Sequence, residues 1–198
     1  MSASVARPRL TAVERRQAVL DTACRVFSRS SYRGATTAEI AREAGITEPI
    51  LYRHFGSKRD LYLACLDEAW SSFREIAEKA LADDPVGCLG AVADAYMAKK
   101  TRIRLVDLWI QALTEAADDP EIRRALRRQV REVHEFVADV IRRSQEAGGI
   151  VADRDPDAEA WIFISLGLLS TIDHRLGSLV GDEFDDIVAS RRAWMTGE

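Results

Sequence analysis

Between Thr36 and Lys58 the chain gathers a dense run of side chains suited to directed hydrogen bonding. Thr36, Thr37, Thr47, Glu48, Tyr52, Arg53, His54 and Lys58 stand there, with Pro49 and Ile50 among them. The chemistry they suit is recognition. Tyr52, His54 and Lys58 have the reach and charge to donate to phosphate oxygens, and Arg53 stands beside them on the outward side. Thr37, at a helix start, can offer its hydroxyl and backbone N–H to a further phosphate. Glu48, Pro49 and Ile50 open a helix and are placed for base edges. A glutamate can accept from cytosine N4, and an isoleucine can touch a thymine methyl. An acid at 48 also lowers phosphate affinity, so a helix-starting role alone stays open for it. Thr36 and Thr47 border the same surface and complete the candidate DNA-binding set.

The elements that must hold these residues read as a helix-turn-helix. Thr36 and Glu39 fit a capping box ahead of a short helix with Ile40, Ala41 and Ala44 on its apolar side. Gly45 falls where that helix must stop and the chain must turn, a position that favours positive φ. Thr47 is the expected N-cap of a second helix, with Ile46 stapling onto Leu51 and Pro49 in the first turn, where a missing N–H costs little. Leu51 and Phe55 face inward at i, i+4. Gly56 ends the helix and Ser57 caps the next. Two short helices, a Gly turn and an exposed polar-aromatic face are the geometry for setting a helix in a major groove.

The string ITEPILYRHFGSKRDL resembles the signature of the tetracycline-repressor (TetR) family of bacterial transcriptional regulators. That signature has a Tyr, then after one residue a His or Tyr, then Phe, two small residues, a Lys and soon an acid. The resemblance is strong over about residues 11–66. It implies DNA contacts at Thr37, Glu48, Pro49, Ile50, Tyr52, His54 and Lys58. Glu48 is where the chain departs from the family pattern. The resemblance also implies dimerisation through the last two long helices and a cavity that binds a small inducer.

Charge is divided unevenly along the 198 residues. Residues 1–60 hold 11 Lys+Arg against 6 Asp+Glu, while the whole chain has a net charge of −4. A basic head on an acidic body suits a protein that sets one end on phosphates. Apolar residues make up 47%, enough for a sizeable core, and only five prolines interrupt the chain. No stretch alternates with period two, so the expected fold is all-α. A three-helix helix-turn-helix head over residues 1–57 should join, through a long helix, a helical-bundle ligand-binding and dimerisation domain over 58–198. The N-terminus lacks an apolar h-region and is expected to be a mobile basic arm. The longest mainly apolar run, Trp161 to Ile172, is 12 residues, and a membrane span needs about 20. The expected compartment is the cytoplasm, with no membrane partner.

Helical periodicity places the rest. Helices are expected over 14–30, 37–44, 48–55 and 58–82, the last about 37 Å long. Asp83-Asp84-Pro85 should break it. Leu89, Val92, Ala93, Tyr96 and Met97 predict the next helix, followed by helices over about 101–117, from Pro120 to near Gly148, over 156–176 and over 184–194. Leu126, Val130, Val133, Val137 and Val140 step by 4, 3, 4, 3, a seam for close packing. Trp161 to Ile172 is apolar on all sides of its helix and so must be buried all round. The chain is too short to cover both faces, which points to a homodimer through Ile162, Leu166, Leu169, Ile172 and Ile187. Trp70, Phe73, Tyr96, Trp109, Leu113 and Phe136 could line a cavity for a small-molecule effector, or could simply be core.

Other constellations fail. Asp153, Asp155 and Asp157 start like a calcium loop, but Ala158 and Ile164 stand where Gly and Glu are required. His134 and His174 have no ligand set at metal spacing. Cys24, Cys65 and Cys88 are widely separated and read as reduced buried thiols. Arg123, Arg124, Arg127, Arg128 and Arg131 form a solvated face or an acidic-ligand contact. No Ser-His-Asp order, paired-carboxylate pocket or Gly-rich phosphate loop appears, so no enzyme activity and no cofactor are expected. The sequence thus points to a homodimeric DNA-binding regulator, a repressor released by a largely apolar ligand. The alternative is a regulator or activator with no small ligand, controlled by a protein partner.

Overall fold

A computed structural model describes residues 11–84 and 99–198, together with 86, 87, 90, 92 and 93. Among them are eight helices and no strand: α1 Ala12–Ser30, α2 Thr37–Glu43, α3 Glu48–His54, α4 Lys58–Asp83, α5 Lys99–Glu115, α6 Pro120–Glu146, α7 Pro156–Arg175 and α8 Glu183–Thr196. Most of the helix predicted through Leu89, Tyr96 and Met97 lies outside the described residues, as do Cys88 and the N-terminal arm. No described helix is long and apolar enough to cross a membrane.

The chain divides into two compact units. One reaches to Leu66, and the second runs from Asp67 to Glu198. The division falls nine residues beyond the expected boundary at Ser57 because the first turns of α4 are core to the head. Leu61, Tyr62, Cys65 and Leu66 are buried there. Tyr62 meets Phe27 of α1 edge-on at 5.0 Å between ring centroids, and the Cys65 thiol faces the Leu20 carbonyl at 3.9 Å. Val19, Leu20, Ala23, Val26 and Phe27 supply the α1 face, Ile40 and Ala41 that of α2, and Leu51 that of α3.

Caps set the helix starts. Helix α1 begins two residues before its predicted start because Thr11 is its N-cap and forms a complete capping box with Glu14. The Thr11 backbone N–H and then its hydroxyl hold the Glu14 carboxyl below the usual glutamate range. Asp119 accepts from the Glu121 and Ile122 amides to start α6. Asp155 does the same for Asp157 and Ala158 at α7, where an acid also meets the positive end of the helix.

In the second unit α6 packs along α7 and against α5. Its buried face departs from the predicted seam at one position: Gln129 is buried and Val130 only half-buried. The cause is Trp109 of α5, whose indole N–H donates to Gln129 Oε1 at 2.5 Å. A buried indole needs an acceptor, and Gln129 supplies it. On the outer face, Arg123 donates to the Ala116 and Ala117 carbonyls at the end of α5. Arg128 pairs with Asp67 and Glu132, and Arg124, Arg127 and Arg131 are exposed.

Helix α7 is buried on one side only in the single chain. Its buried residues are Glu159, Ala160, Ser170 and Thr171. Trp161, Ile162 and Ile172 are 39–46% exposed in the single chain, while Leu166 and Leu169 are half-buried. Small and polar residues let α7 sit close on its neighbours, and the bulky apolar ones are turned away from them. Glu159 pairs with Arg191 of α8, and Arg154 donates to the Trp194 carbonyl and stacks on its ring. These contacts fasten α8 beside the start of α7.

Candidate nucleic-acid interface

The turn between α2 and α3 is closed by backbone alone. Gly45 donates to the Arg42 carbonyl and Ile46 to the Ala41 carbonyl, the paired bonds of a Schellman motif. Gly45 has the positive φ, +68°, that the sequence called for. At the other end of α2, Thr36 caps by accepting from the Glu39 amide at 3.1 Å. Only this half of the expected capping box is used. Glu39 turns instead to Arg29, which also holds Glu43, so one α1 guanidinium fixes the α2 face.

Thr47 occupies the N-cap position of α3, but its side chain makes no cap bond. Its backbone carbonyl accepts from Ile50 and Leu51, and the exposed side chain faces outward with Pro49. The missing cap is affordable because Glu48 and Pro49 begin the helix: Pro has no amide to satisfy. Glu48 is drawn sideways. Its carboxylate accepts from the Thr37 hydroxyl at 2.5 Å, and Thr37 Oγ1 lies 3.1 Å from the Tyr52 hydroxyl. Thr37, Glu48 and Tyr52 therefore form one hydrogen-bonded chain across α2 and α3.

Arg53 is exposed; Ile50, His54 and Lys58 are half-buried. The Lys58 ammonium sits 4.8 Å from the centroid of Tyr32, and Tyr32 in turn packs on Tyr62 at 4.8 Å. Tyr32 lies in the turn between α1 and α2. It is the aromatic bed under a candidate phosphate contact, and helical periodicity could not show this because it lies between helices. Arg16 similarly stands over the Phe55 ring at 4.6 Å, beside the end of α3. The head thus joins Thr37, Glu48 and Tyr52 by side-chain contacts, leaves Thr47, Pro49 and Arg53 exposed, and buries Leu51 and Phe55 in its core.

The residues expected to line a cavity part company. Trp70 and Phe73 stack at 5.6 Å, and Trp70 meets Phe136 edge-on at 5.7 Å. Trp109 turns to Gln129. Leu113 is 54% exposed and does not join them. It sits one helical step beyond Ala112, past the edge of the α5 stripe made by Leu105, Leu108, Trp109 and Ala112. Tyr96 lies outside the described residues. Among the described residues no group of His, Cys, Asp or Glu could hold a metal ion.

Two family models match this chain. Residues 19–65, the helices just described, match bacterial regulatory proteins of the tetR family. Residues 87–167 match the C-terminal part of BetI-type transcriptional repressors. The chain belongs to the TetR family of DNA-binding transcriptional regulators. Members are regulators and not enzymes. The transcriptional regulator TtgR of Pseudomonas putida is 28% identical over 161 residues, 76% of this chain and 77% of that one. The regulator BetI of Rhizobium meliloti is 30% identical over 115 residues, 57% of each chain. A transcriptional regulator of Saccharomonospora viridis, solved in complex with choline, has the same fold. Its TM-score is 0.76 at 23% identity, over 89% of this chain and 96% of that one.

Proposed function

We propose that this TetR-family chain acts in the cytoplasm as a homodimer, reads a roughly palindromic operator with two copies of α3, and represses until a small ligand releases it. DNA binding is assigned to the head, residues up to about 57, and ligand binding and dimerisation to the remainder. The observation that carries the first assignment is the hydrogen-bonded chain of Thr37, Glu48 and Tyr52 across α2 and α3, with Arg53 exposed in the last turn of α3 and Lys58 at the start of α4. Hydroxyl and cationic donors there suit phosphates, and Glu48, Pro49 and Ile50 stand where a helix in a major groove meets base edges.

Dimerisation is supported by exposed apolar residues of α7, α8 and the segment between them: Trp161, Ile162, Ile172, Leu176, Leu179 and Ile187 are 39–64% exposed in one chain. Apolar residues exposed in that number are what a second copy covers. The paired heads would then sit about 34–36 Å apart, or a multiple of that, on one side of the duplex. The Trp70, Phe73 and Phe136 cluster supports a largely apolar ligand. Because α4 runs unbroken from the head past these aromatics, a ligand that prefers one position of α4 lowers DNA affinity by its differential binding to two states.

Selection of bound sequences from a random duplex pool tests this reading. The expected result is a palindromic consensus whose binding weakens steeply with salt. Failure to enrich any sequence, or enrichment of an unpaired half-site only, would overturn it.

A further inference from the structure

Counting protons on the Thr37, Glu48 and Tyr52 chain leads beyond a list of DNA contacts. A threonine hydroxyl has one proton, a tyrosine hydroxyl has one, and a carboxylate has none. Thr37 donates its proton to Glu48 at 2.5 Å. The 3.1 Å contact between Thr37 and Tyr52 can then only be donated by Tyr52. Both protons are therefore committed inside the protein. A backbone phosphate is acceptor-only, so Thr37 cannot donate to it while Glu48 stays in place, and Tyr52 can do so only by giving up its bond to Thr37.

We infer that Glu48 is an internal stand-in for a DNA phosphate, locking the Thr37 donor, and through it the Thr37–Tyr52 pair, until the carboxylate is displaced. The inference rests on the DNA-contact reading of this face and deepens it. Any duplex that engages the two hydroxyls must first expel Glu48. The expelled carboxylate, at the first residue of α3, recovers a partner only where a base edge offers an amino group, as cytosine N4 does. On other sequences it is left near phosphates with nothing to accept from. Glu48 thereby sets a cost on non-specific DNA that a matching site repays. This is specificity by penalising the wrong partner as well as rewarding the right one.

A double-mutant cycle on the full-length protein tests the lock, read as fluorescence anisotropy with a random-sequence duplex at fixed salt. Glu48→Ala should tighten binding about tenfold, the scale of one charge-assisted hydrogen bond no longer broken. The same change in a Thr37→Val/Tyr52→Phe background should give less than about a twofold gain, because no locked donor remains to be freed. Thr37→Ala serves as a second version should Val disturb α2, with thermal melts to show that each variant is folded. An equal gain in both backgrounds would mean that Glu48 acts by its charge alone and would overturn the lock. A loss of affinity in Glu48→Ala would overturn it as well. Arg53→Ala and Lys58→Ala are the separate control: if these leave random-duplex binding unchanged, the face is not the DNA surface and the underlying reading fails, whatever the cycle shows.

Discussion

The indole nitrogen of Trp109 lies 2.5 Å from Gln129 Oε1, with both side chains buried between α5 and α6. The pair is a buried polar contact that joins the two helices. Replacing Gln129 with Leu leaves the indole N–H buried without its acceptor, a loss of about 1–3 kcal/mol. Trp109→Phe/Gln129→Leu removes both groups and should recover part of it. Chemical denaturation of the three variants measures the coupling; strictly additive losses would show that the contact contributes nothing.

The α1–α2 and α2–α3 turns each contain a glycine, for different reasons, and substitution should separate them. A Cβ at Gly34 would stand 2.2 Å from the Ser30 carbonyl oxygen, so the backbone itself must move. A Cβ at Gly45 meets nothing within 4 Å, and only its φ of +68° resists a side chain. Gly45→Ala should therefore cost roughly 1–2 kcal/mol, and Gly34→Ala distinctly more. Melting curves for the two variants decide it; equal losses would mean that the Gly34 turn yields without strain.

Glu14 gives a pH signature at the start of α1. Its carboxyl is held low by hydrogen bonds from Thr11. A group whose folded pKa lies below its unfolded one stabilises the fold above the unfolded value, and loses that contribution as pH falls through the folded one. The melting-temperature advantage of the native chain over Glu14→Gln should thus be full at neutral pH and shrink on acidification below the ordinary glutamate range. An advantage that stays constant to acid pH would mean that the carboxylate charge plays no part in the cap.

Sequence made the helix-turn-helix legible because its signals are local. Thr36, Gly45, Pro49 and Gly56 are punctuation within a few residues of what they govern. What escaped depends on pairs distant in the chain. Thr37 and Glu48 are on different helices, so no spacing rule links them, and Glu48 looked merely unlike its family. Gln129 displaced Val130 from the seam because of a tryptophan on another helix. Leu113 is apolar and follows Ala112, yet one step of helix rotation leaves it 54% exposed. In α7 composition showed an apolar helix, but not that Ser170 and Thr171 would take the inward face.

Lys58 and Tyr32 make a pair whose parts should separate in a binding assay. Lys58→Ala should weaken all sequences by a similar factor and lower the salt slope by about one, the mark of a lost phosphate contact. Tyr32→Leu keeps the charge but removes the ring beneath it. It should leave the salt slope unchanged while weakening binding several-fold, since the ammonium is no longer pre-positioned. Titrations at several salt concentrations read both numbers; a changed slope in Tyr32→Leu would show that the ring does more than orient.

The outward face of α7 makes the most demanding prediction. Ile162 and Ile172 are 39% and 46% exposed in one chain, and Ile187 of α8 is 39% exposed. If a second copy covers them, a charge placed there must be buried without a partner, whereas in a monomer it would be solvated at little cost. Ile162→Glu or Ile172→Glu should therefore convert a dimer of twice 22.1 kDa into a monomer of 22.1 kDa, with little change in helical content. DNA binding should fall much further than for a single lost contact, because two heads no longer share one operator and the gain from linking them vanishes. Sedimentation equilibrium gives the mass and anisotropy the affinity. A native chain that sediments as a monomer, or a variant that stays dimeric with its operator affinity intact, would remove this face from the interface.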